Sequence, residues 1–367
     1  MIEMYNYKLV FTCIVEERKM EKKQFRVGAV GCGIIARKFA EAANQMDGVE
    51  IAGVTDAFPK SAAQYAREYR VGKVCGSFEE LLELEDLDLI YIATPNHTHY
   101  DLTRQALLAG KNVLCEKPMT IDAEKTEELA ALAKKQNCIL AEGLWTKTLP
   151  IYREIKKIIT EGQIGEVHVL TADYFFRAPL DPASRLFNLE MGGGALLDIG
   201  IYELVLVSMV MGSDPVEIKS VSKIGETGVD EITGVLLKFA NGSVASLMCA
   251  IRTPAPYRAT IIGTRGRIDI QEFGRAERGM LYRYSSDEGA DGNSSGKVGV
   301  RRNVPEQVEE IPLNYPHSIN GFEYEIEALR RAVRAGEKEC PELSLRDTIG
   351  VHRMIDQIKS VWQGQKR

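Results

Sequence analysis

The chain has 367 residues, enough for two domains with substantial cores, and its 45% hydrophobic and 27% charged content is that of an ordinary globular protein. A net charge of −6, with no basic block, argues against a nucleic-acid or anionic-membrane surface, and no apolar run is long enough to cross a bilayer. Seven scattered cysteines without a C-x-x-C pair read as reduced, mostly buried thiols of a cytoplasmic protein. No histidine spacing suits zinc; His97 and His99 lack a supporting carboxylate or cysteine cluster, so no metal is expected.

Met1 to Lys23 is an extension ending in a charged run, and translation starting at Met20 is an equal reading. At Phe25 the pattern changes. Phe25 to Val30 is strand-prone, Gly31 breaks it, and Ile35, Phe39 and Ala42–Ala43 recur at helical spacing. A strand, a glycine turn and a helix suit a dinucleotide pyrophosphate. Gly31 permits the turn, Gly33 lets the backbone approach the phosphates, Ala36 lets the helix pack closely, and the helix N-terminus favours the anion. A second strand, Val49–Thr55, ends in Asp56, at the distance expected of a ribose-binding carboxylate.

Strand and helix then alternate to Gly143: helices at Ser61–Arg70, Phe78–Leu84, Tyr100–Ala109 and Ala123–Lys135, strands at Leu87–Ala93, Lys111–Cys115 and Ile139–Glu142. That alternation predicts an α/β domain with a parallel sheet, spanning residues 24–143. Gly31, Asp56, Thr94-Pro95-Asn96 and Glu116-Lys117-Pro118 all fall at carboxyl ends of strands, where such sheets bind ligands.

Residues 144–367 read as an α+β domain with a large, mostly antiparallel open sheet. Its strand-like runs are Glu166–Tyr174, Val216–Ile224, Ile232–Phe239, Ser243–Ile251, Arg258–Ile262 and Gly266–Ile270. Asn241-Gly242 and Gly263–Gly266 are the turns. One sheet face is expected to pack on helices and the other on a partner subunit. Ser285–Asn303 reads as a glycine- and serine-rich excursion, and helices Gly321–Ala335 and Leu345–Trp362 close the chain, with the last free to pack back on the first domain. Before the sheet, Gly192-Gly193-Gly194 leads into Asp198-Ile199-Gly200-Ile201-Tyr202, where Asp198 and Tyr202, four apart, share one helix face.

The combination of Gly31-Cys32-Gly33-Ile34-Ile35-Ala36, Ala93-Thr94-Pro95-Asn96-His97-Thr98-His99, Glu116-Lys117-Pro118 and Gly192-Gly193-Gly194…Asp198-Ile199-Gly200-Ile201-Tyr202 resembles the glucose–fructose oxidoreductase / inositol dehydrogenase (Gfo/Idh/MocA) family. With Ala141-Glu142-Gly143-Leu144-Trp145 ahead, it is most similar to the dihydrodiol and xylose dehydrogenase branch. The resemblance implies a Rossmann domain, an open-sheet substrate domain, and homodimers or homotetramers formed through that sheet. Many relatives carry histidine where Tyr202 stands, so no histidine-based mechanism is carried over.

The chemistry expected is hydride transfer between a nicotinamide and a hydroxyl or carbonyl of a sugar, polyol or cyclic diol. Lys117, Tyr202 and Asp198 are the candidate catalytic residues: a nearby lysine ammonium lowers the phenol pKa, Tyr202 moves the proton, and Asp198 orients. Candidate cofactor residues are Gly31, Gly33, Ile34, Ile35, Asp56, Thr94, Pro95, Asn96, His99, Glu116, Lys117 and Trp145, with NAD expected over NADP because Asp56 repels a 2′-phosphate. Candidate substrate residues are Phe176, Arg177, Arg185 and Tyr202, with Tyr174, Phe175 and Phe187 beside them. Two other readings are a sugar–sugar oxidoreductase that retains its cofactor and a dinucleotide-sensing regulator without catalysis.

Overall fold

The computed structural model describes residues 24–284 and 308–365; the extension Met1–Lys23 and the excursion Ser285–Asn303 lie outside them. Six strands, β1 (Phe25–Val30), β2 (Val49–Thr55), β3 (Lys73–Val74), β4 (Leu89–Ile92), β5 (Val113–Glu116) and β6 (Leu140–Gly143), form one parallel sheet in the order β3-β2-β1-β4-β5-β6. Strand order reverses between β1 and β4, so a crevice opens beyond their carboxyl ends, at Gly31 and Thr94.

Helices cover both faces. On one side lie α1 (Ile34–Gln45) and α2 (Pro59–Tyr69), and α3 (Phe78–Leu82), α4 (His99–Leu108) and α5 (Ala123–Gln136) complete the layer set. The stripe Ala36, Phe39, Ala40 and Ala43 turns α1 onto the sheet, where Phe39 stacks on Tyr91 at 3.9 Å between centroids. Truncating Phe39 to alanine in so closed a site costs about 3–5 kcal/mol.

The second sheet has eight strands: β7 (Val167–Phe175), β8 (Glu217–Ile224), β9 (Asp230–Lys238), β10 (Val244–Ala250), β11 (Arg258–Gly263), β12 (Gly266–Gln271), β13 (Arg278–Tyr284) and β14 (Val308–Asn314). Their order is β14-β13-β12-β11-β7-β10-β9-β8, antiparallel except for the pair β7–β10. The edge strand β3, the last two strands and the helix α6 (Pro150–Thr160) add to the elements read from sequence. Pro150 sits at the first helical position of α6 and Ile151, Tyr152, Ile155 and Ile158 form its buried stripe. Helix α7 (Ile201–Met211) is apolar almost all round and is accordingly buried. It is preceded by a π turn at Leu196–Gly200, which widens the spacing expected of a plain α-helix.

The chain then returns. Helix α8 (Phe322–Arg334) packs on α1 and closes the core of the first sheet with Phe322, Ile326 and Leu329. Helix α9 (Leu345–Gln365) lies against α5 and β6 of the first layer set and against α7 and β8 of the second. The far face of the second sheet leaves Val221, Leu236 and Met248 exposed. Among the described residues no helix is long and apolar enough to cross a membrane.

Candidate active site

The turn after β1 is shaped for close approach. Gly31 has φ +94°, and a Cβ there would stand 2.5 Å from the Ala93 carbonyl oxygen, so only glycine fits. Gly33, at the N-cap of α1, is different: a Cβ there meets nothing within 4 Å, and no side chain caps the helix. Ile34 and Ile35 follow with 78% and 39% of their surface open. An uncapped helix start, a glycine facing open space and two exposed isoleucines fit a nucleotide pyrophosphate laid over the turn. Asp56 braces this turn: its Oδ2 accepts from the Cys32 N–H and its Oδ1 from the Phe58 N–H, each at 2.8 Å. Each oxygen retains a lone pair for a ribose hydroxyl. Burial and the Asp56 carboxylate together push the Cys32 thiol up to about 12, so it stays protonated beside the turn.

The second centre joins the two layer sets. Lys117 follows β5, and its ammonium donates to the Asp198 carbonyl oxygen at 2.5 Å and lies 3.5 Å from Asp198 Oδ1. The same ammonium sits 4.9 Å from the centroid of the Tyr202 ring. Arg185 Nη1 donates to Asp198 Oδ1 at 3.0 Å. Burial alone would raise the Asp198 pKa, but Lys117 and Arg185 outweigh it and hold the carboxyl below its usual range. Two cations thus face one carboxylate.

Tyr202 departs from the expectation. Lys117 reaches the ring face, and the phenol pKa goes up, not down: burial is the main cause, with Glu116 and Asp198 adding to it and the polar edge of Trp145 opposing it. The phenol is therefore held protonated. Beneath this pair lies a buried carboxyl cluster. Glu116 Oε1 accepts from the Tyr91 hydroxyl at 2.7 Å and Oε2 from the Lys117 N–H at 3.3 Å, while burial pushes its pKa up to about 7. Glu325 of α8 is fully buried with neither carboxyl oxygen bonded, and burial and the neighbouring Glu116 drive its pKa well up.

The remaining strand-end residues act as braces. Asn96 donates to the Gly192 carbonyl oxygen at 3.2 Å, tying the Thr94-Pro95-Asn96 end to the glycine run. Thr94 Oγ1 pairs with Thr98 Oγ1 at 2.7 Å, and Pro95 caps the short helix Asn96–Thr98. His99 corrects its sequence reading as a cofactor residue: it is fully buried, with Nδ1 and Nε2 each 2.8 Å from the carbonyl oxygens of Pro118 and Thr94. It has no ring nitrogen left for a ligand. Trp145 stacks on Phe322 at 4.8 Å and lies beside the Tyr202 phenol.

Among the substrate candidates, Arg185 reaches the centre, while Phe187 is buried in a satellite core with Ile199 and Cys249. Alternation along β7 puts Phe175 on the opposite face from Tyr174. Phe176 packs at the edge of that satellite core, and Arg177 is exposed, its backbone bridged to Arg252. Tyr174 stands 5.8 Å from Tyr202 and stacks on Tyr257 at 4.3 Å, and Gly274 lies over both Tyr174 and Tyr202. Tyr257, Gly274, Tyr91 and Glu325 went unread in the sequence. For Glu325 a signal existed: it falls on the apolar stripe Phe322–Ile326–Leu329 of α8.

Comparison with known proteins matches both layer sets. The family model described as an oxidoreductase family with an NAD-binding Rossmann fold covers residues 25–144, and the GFO/IDH/MocA C-terminal domain covers residues 152–269. Trans-1,2-dihydrobenzene-1,2-diol dehydrogenase of Xenopus laevis is 32% identical over 333 residues, 90% of this chain and 96% of its own. The Mus musculus protein of that name is 30% identical over 328 residues, 88% of this chain and 92% of its own. Among solved structures, KijD10, a 3-ketoreductase from Actinomadura kijaniata with NADP and TDP-benzene, superposes with a TM-score of 0.79 at 24% identity, covering 93% of this chain and 98% of that one. Levoglucosan dehydrogenase with NADH and levoglucosan gives 0.79 at 21% identity over the same shares, 93% and 98%. At these identities the likeness to solved structures concerns the fold.

Proposed function

We propose a substrate class and a division of labour from one premise: the chain belongs to the GFO/IDH/MocA oxidoreductase family and is an NAD(P)-dependent oxidoreductase acting on CH–OH groups. The substrate is a ring-shaped secondary alcohol or its ketone, a cyclic diol or a sugar. The reading rests on one observation, the convergence of Lys117 on Asp198 and the Tyr202 ring across the two layer sets. The names of the curated relatives support a diol, and those of the solved neighbours support sugar rings. The paired rings Tyr174 and Tyr257 offer a flat wall that suits either.

Gly31, Gly33 and the first turn of α1 would hold the pyrophosphate, Asp56 the adenosine ribose, and the strand ends Thr94–Asn96 and Glu116–Lys117 the nicotinamide end. The nicotinamide supplies the hydride acceptor or donor when bound. Tyr202, kept protonated, donates its proton to a carbonyl oxygen under reduction and is reprotonated from solvent; in the oxidising direction the phenol must first release that proton to solvent before it can take the alcohol's. Lys117 and Arg185 set two cations around the Asp198 carboxylate, and a cation beside the reacting oxygen favours the negative charge that builds there. Asp198 fixes both cations and moves no proton, its carboxyl being held ionised.

NAD is the preferred nucleotide, because Asp56 would face a 2′-phosphate with like charge and the nearest following cation, Lys60, is exposed on α2. The exposed Val221, Leu236 and Met248 on the second sheet support a homodimer or homotetramer joined there, which sedimentation would test. The function itself is tested by following reduced-nucleotide absorbance with NAD or NADP against trans-1,2-dihydrobenzene-1,2-diol, aldoses and cyclic polyols. Turnover on at least one ring alcohol, abolished in Tyr202→Phe, is expected. Nucleotide binding with no turnover on any of them would favour the regulator reading.

A further inference from the structure

The segment that follows Lys117 is held by a part of the chain far from it in sequence. Helix α9 sends four side chains towards it. Asp356 Oδ2 accepts from the Ala123 N–H at 2.8 Å, Lys359 Nζ donates to the Ile121 carbonyl oxygen at 3.1 Å, and Arg353 Nε donates to Glu127 Oε1 at 2.7 Å. His352 Nε2 lies 2.9 Å from Glu142 Oε1, the oxygen that also accepts from the Met119 N–H at 2.7 Å. Positions 352, 356 and 359 share one helix face. On its other side the segment meets the glycine run, where a Cβ on Gly192 would stand 2.6 Å from Ile121 Cγ2.

Lys359 stands where the two halves of the active centre meet. Besides bonding Ile121, its ammonium is buried, which lowers its pKa, and the carboxylates of Asp356, Asp230 and Asp122 oppose that shift from beyond ion-pair distance. Asp230 in turn accepts from the Leu196 N–H at 2.8 Å and from Thr233 Oγ1 at 2.7 Å. Leu196 opens the π turn that carries Asp198. One cation therefore holds the Lys117 segment by a hydrogen bond, and the Ile121 side chain of that segment abuts Gly192, in the run that leads into the Asp198 turn.

We infer that Lys359 is a positioning residue, which through Ile121 seats the Lys117 segment against the glycine run that leads into the Asp198 turn. The inference deepens the proposed reading of Lys117 and Tyr202 and rests on it for its effect on rate. Without the ammonium the Ile121 carbonyl loses its donor, so the segment shifts. A displacement of about 1 Å in a reacting group can cost about a hundredfold in rate.

The test compares Lys359→Met, which keeps the stem, with Lys359→Arg, which keeps the charge. Labelling of Lys117 by trinitrobenzenesulfonate, followed by peptide mass spectrometry, reads its hold on Asp198 without any substrate. Lys147, whose side chain is 8% exposed and paired with Asp347 at 2.6 Å, is the internal reference. In Lys359→Met, Lys117 should label severalfold faster, Lys147 should not change, and Lys359→Arg should return most of the way. With NAD and the ring alcohol that Tyr202→Phe fails to turn over, kcat should fall about tenfold to a hundredfold while both KM values stay within about threefold. If Lys359→Met does not fold, Lys359→Leu, which likewise keeps an apolar stem and drops the donor, carries the same expectations. Unchanged labelling of Lys117, or equal acceleration at Lys147, overturns the positioning role. If labelling rises as expected but Lys117→Met retains full turnover, the reading of the site falls while the structural coupling stands.

Discussion

The two centres of this molecule are built in opposite ways. The nucleotide turn is local: Gly31, Gly33 and Asp56 lie on two neighbouring strands, and Asp56 bonds straight back to the Cys32 N–H. The centre at Lys117 is assembled from the end of β5, the loop at Arg185, the π turn at Asp198, α7, and α8 beneath them. A local site tolerates change elsewhere in the chain. An assembled one depends on how every contributing element is seated, and its residues owe their chemistry to neighbours far away in sequence. Substitutions in the two centres should therefore separate binding from turnover.

The sharpest break is expected at the assembled centre. Lys117→Met and Tyr202→Phe should each cut turnover by about a hundredfold or more, with nucleotide affinity, read by fluorescence titration, within about threefold of the parent. Equal loss of affinity and turnover would mean that the two centres are one unit and that the contrast fails.

At the turn, the two glycines should behave differently from each other. Gly33→Ala meets no atom within 4 Å and its φ is −70°, so thermal unfolding should not move, yet nucleotide affinity should fall about tenfold as the new methyl occupies the open space. Gly31→Ala, at φ +94° and against the Ala93 carbonyl, should lower stability by more than about 2 kcal/mol. Affinity unchanged in Gly33→Ala would remove the pyrophosphate from that surface.

Asp56→Ala tests specificity within the same turn. The ratio of kcat/KM for NAD over NADP should drop by about tenfold, the scale of one hydrogen bond to a charged group. The bonds from Asp56 to Cys32 and Phe58 would also be lost, so a parallel melting curve separates loosened structure from lost discrimination. A parent protein that prefers NADP would reverse the assignment.

The smallest effect concerns the buried carboxyls. Glu116 is raised from 4.5 to about 7, so it favours the folded state below pH 4.5 and that contribution is lost as pH rises to about 7. Glu325 acts in the same sense, and Asp198 and Glu142, both lowered, act in the reverse sense at more acid pH. Glu325→Gln should therefore flatten the fall in stability as pH rises above 4.5 and raise stability at pH 8 by more than about 1 kcal/mol, read by urea unfolding. A steeper fall in the variant would show that Glu325 is ionised in the parent.

Much of this arrangement was written locally and could be read locally. Five of the six strands of the first sheet and both glycine turns follow from hydrophobic period and turn residues, with ends displaced by a residue or two, while the two-residue edge strand β3 is too short to show a period. The D-x-G-x-Y stretch gave Asp198 and Tyr202, but not the π turn between them, because a π turn answers to packing and not to residue type. The direction of the Tyr202 shift was beyond reach for the same reason: it depends on Glu116 beside it and on the side of the ring to which Lys117 comes. His99 misled because a motif position near a cofactor reads alike whether the ring faces the ligand or two carbonyls. Strand β13 alternates less clearly than its neighbours, with Arg278, Gly279, Arg283 and two tyrosines, and so escaped notice.

The return of the chain to its first layer has a consequence for the order of synthesis. Phe322, Ile326 and Leu329 of α8 complete the same core as Phe25, Phe39 and Tyr65. On a ribosome, the first sheet emerges some two hundred residues before the helix that covers it. Until then the α1 side of that core faces water or a chaperone, and the nucleotide turn is carried on a half-covered layer. A fragment cut after residue 144 would inherit that bare face permanently and would be expected to aggregate rather than bind. The motif that announces the first domain is thus made useful only by the last fifty residues of the chain.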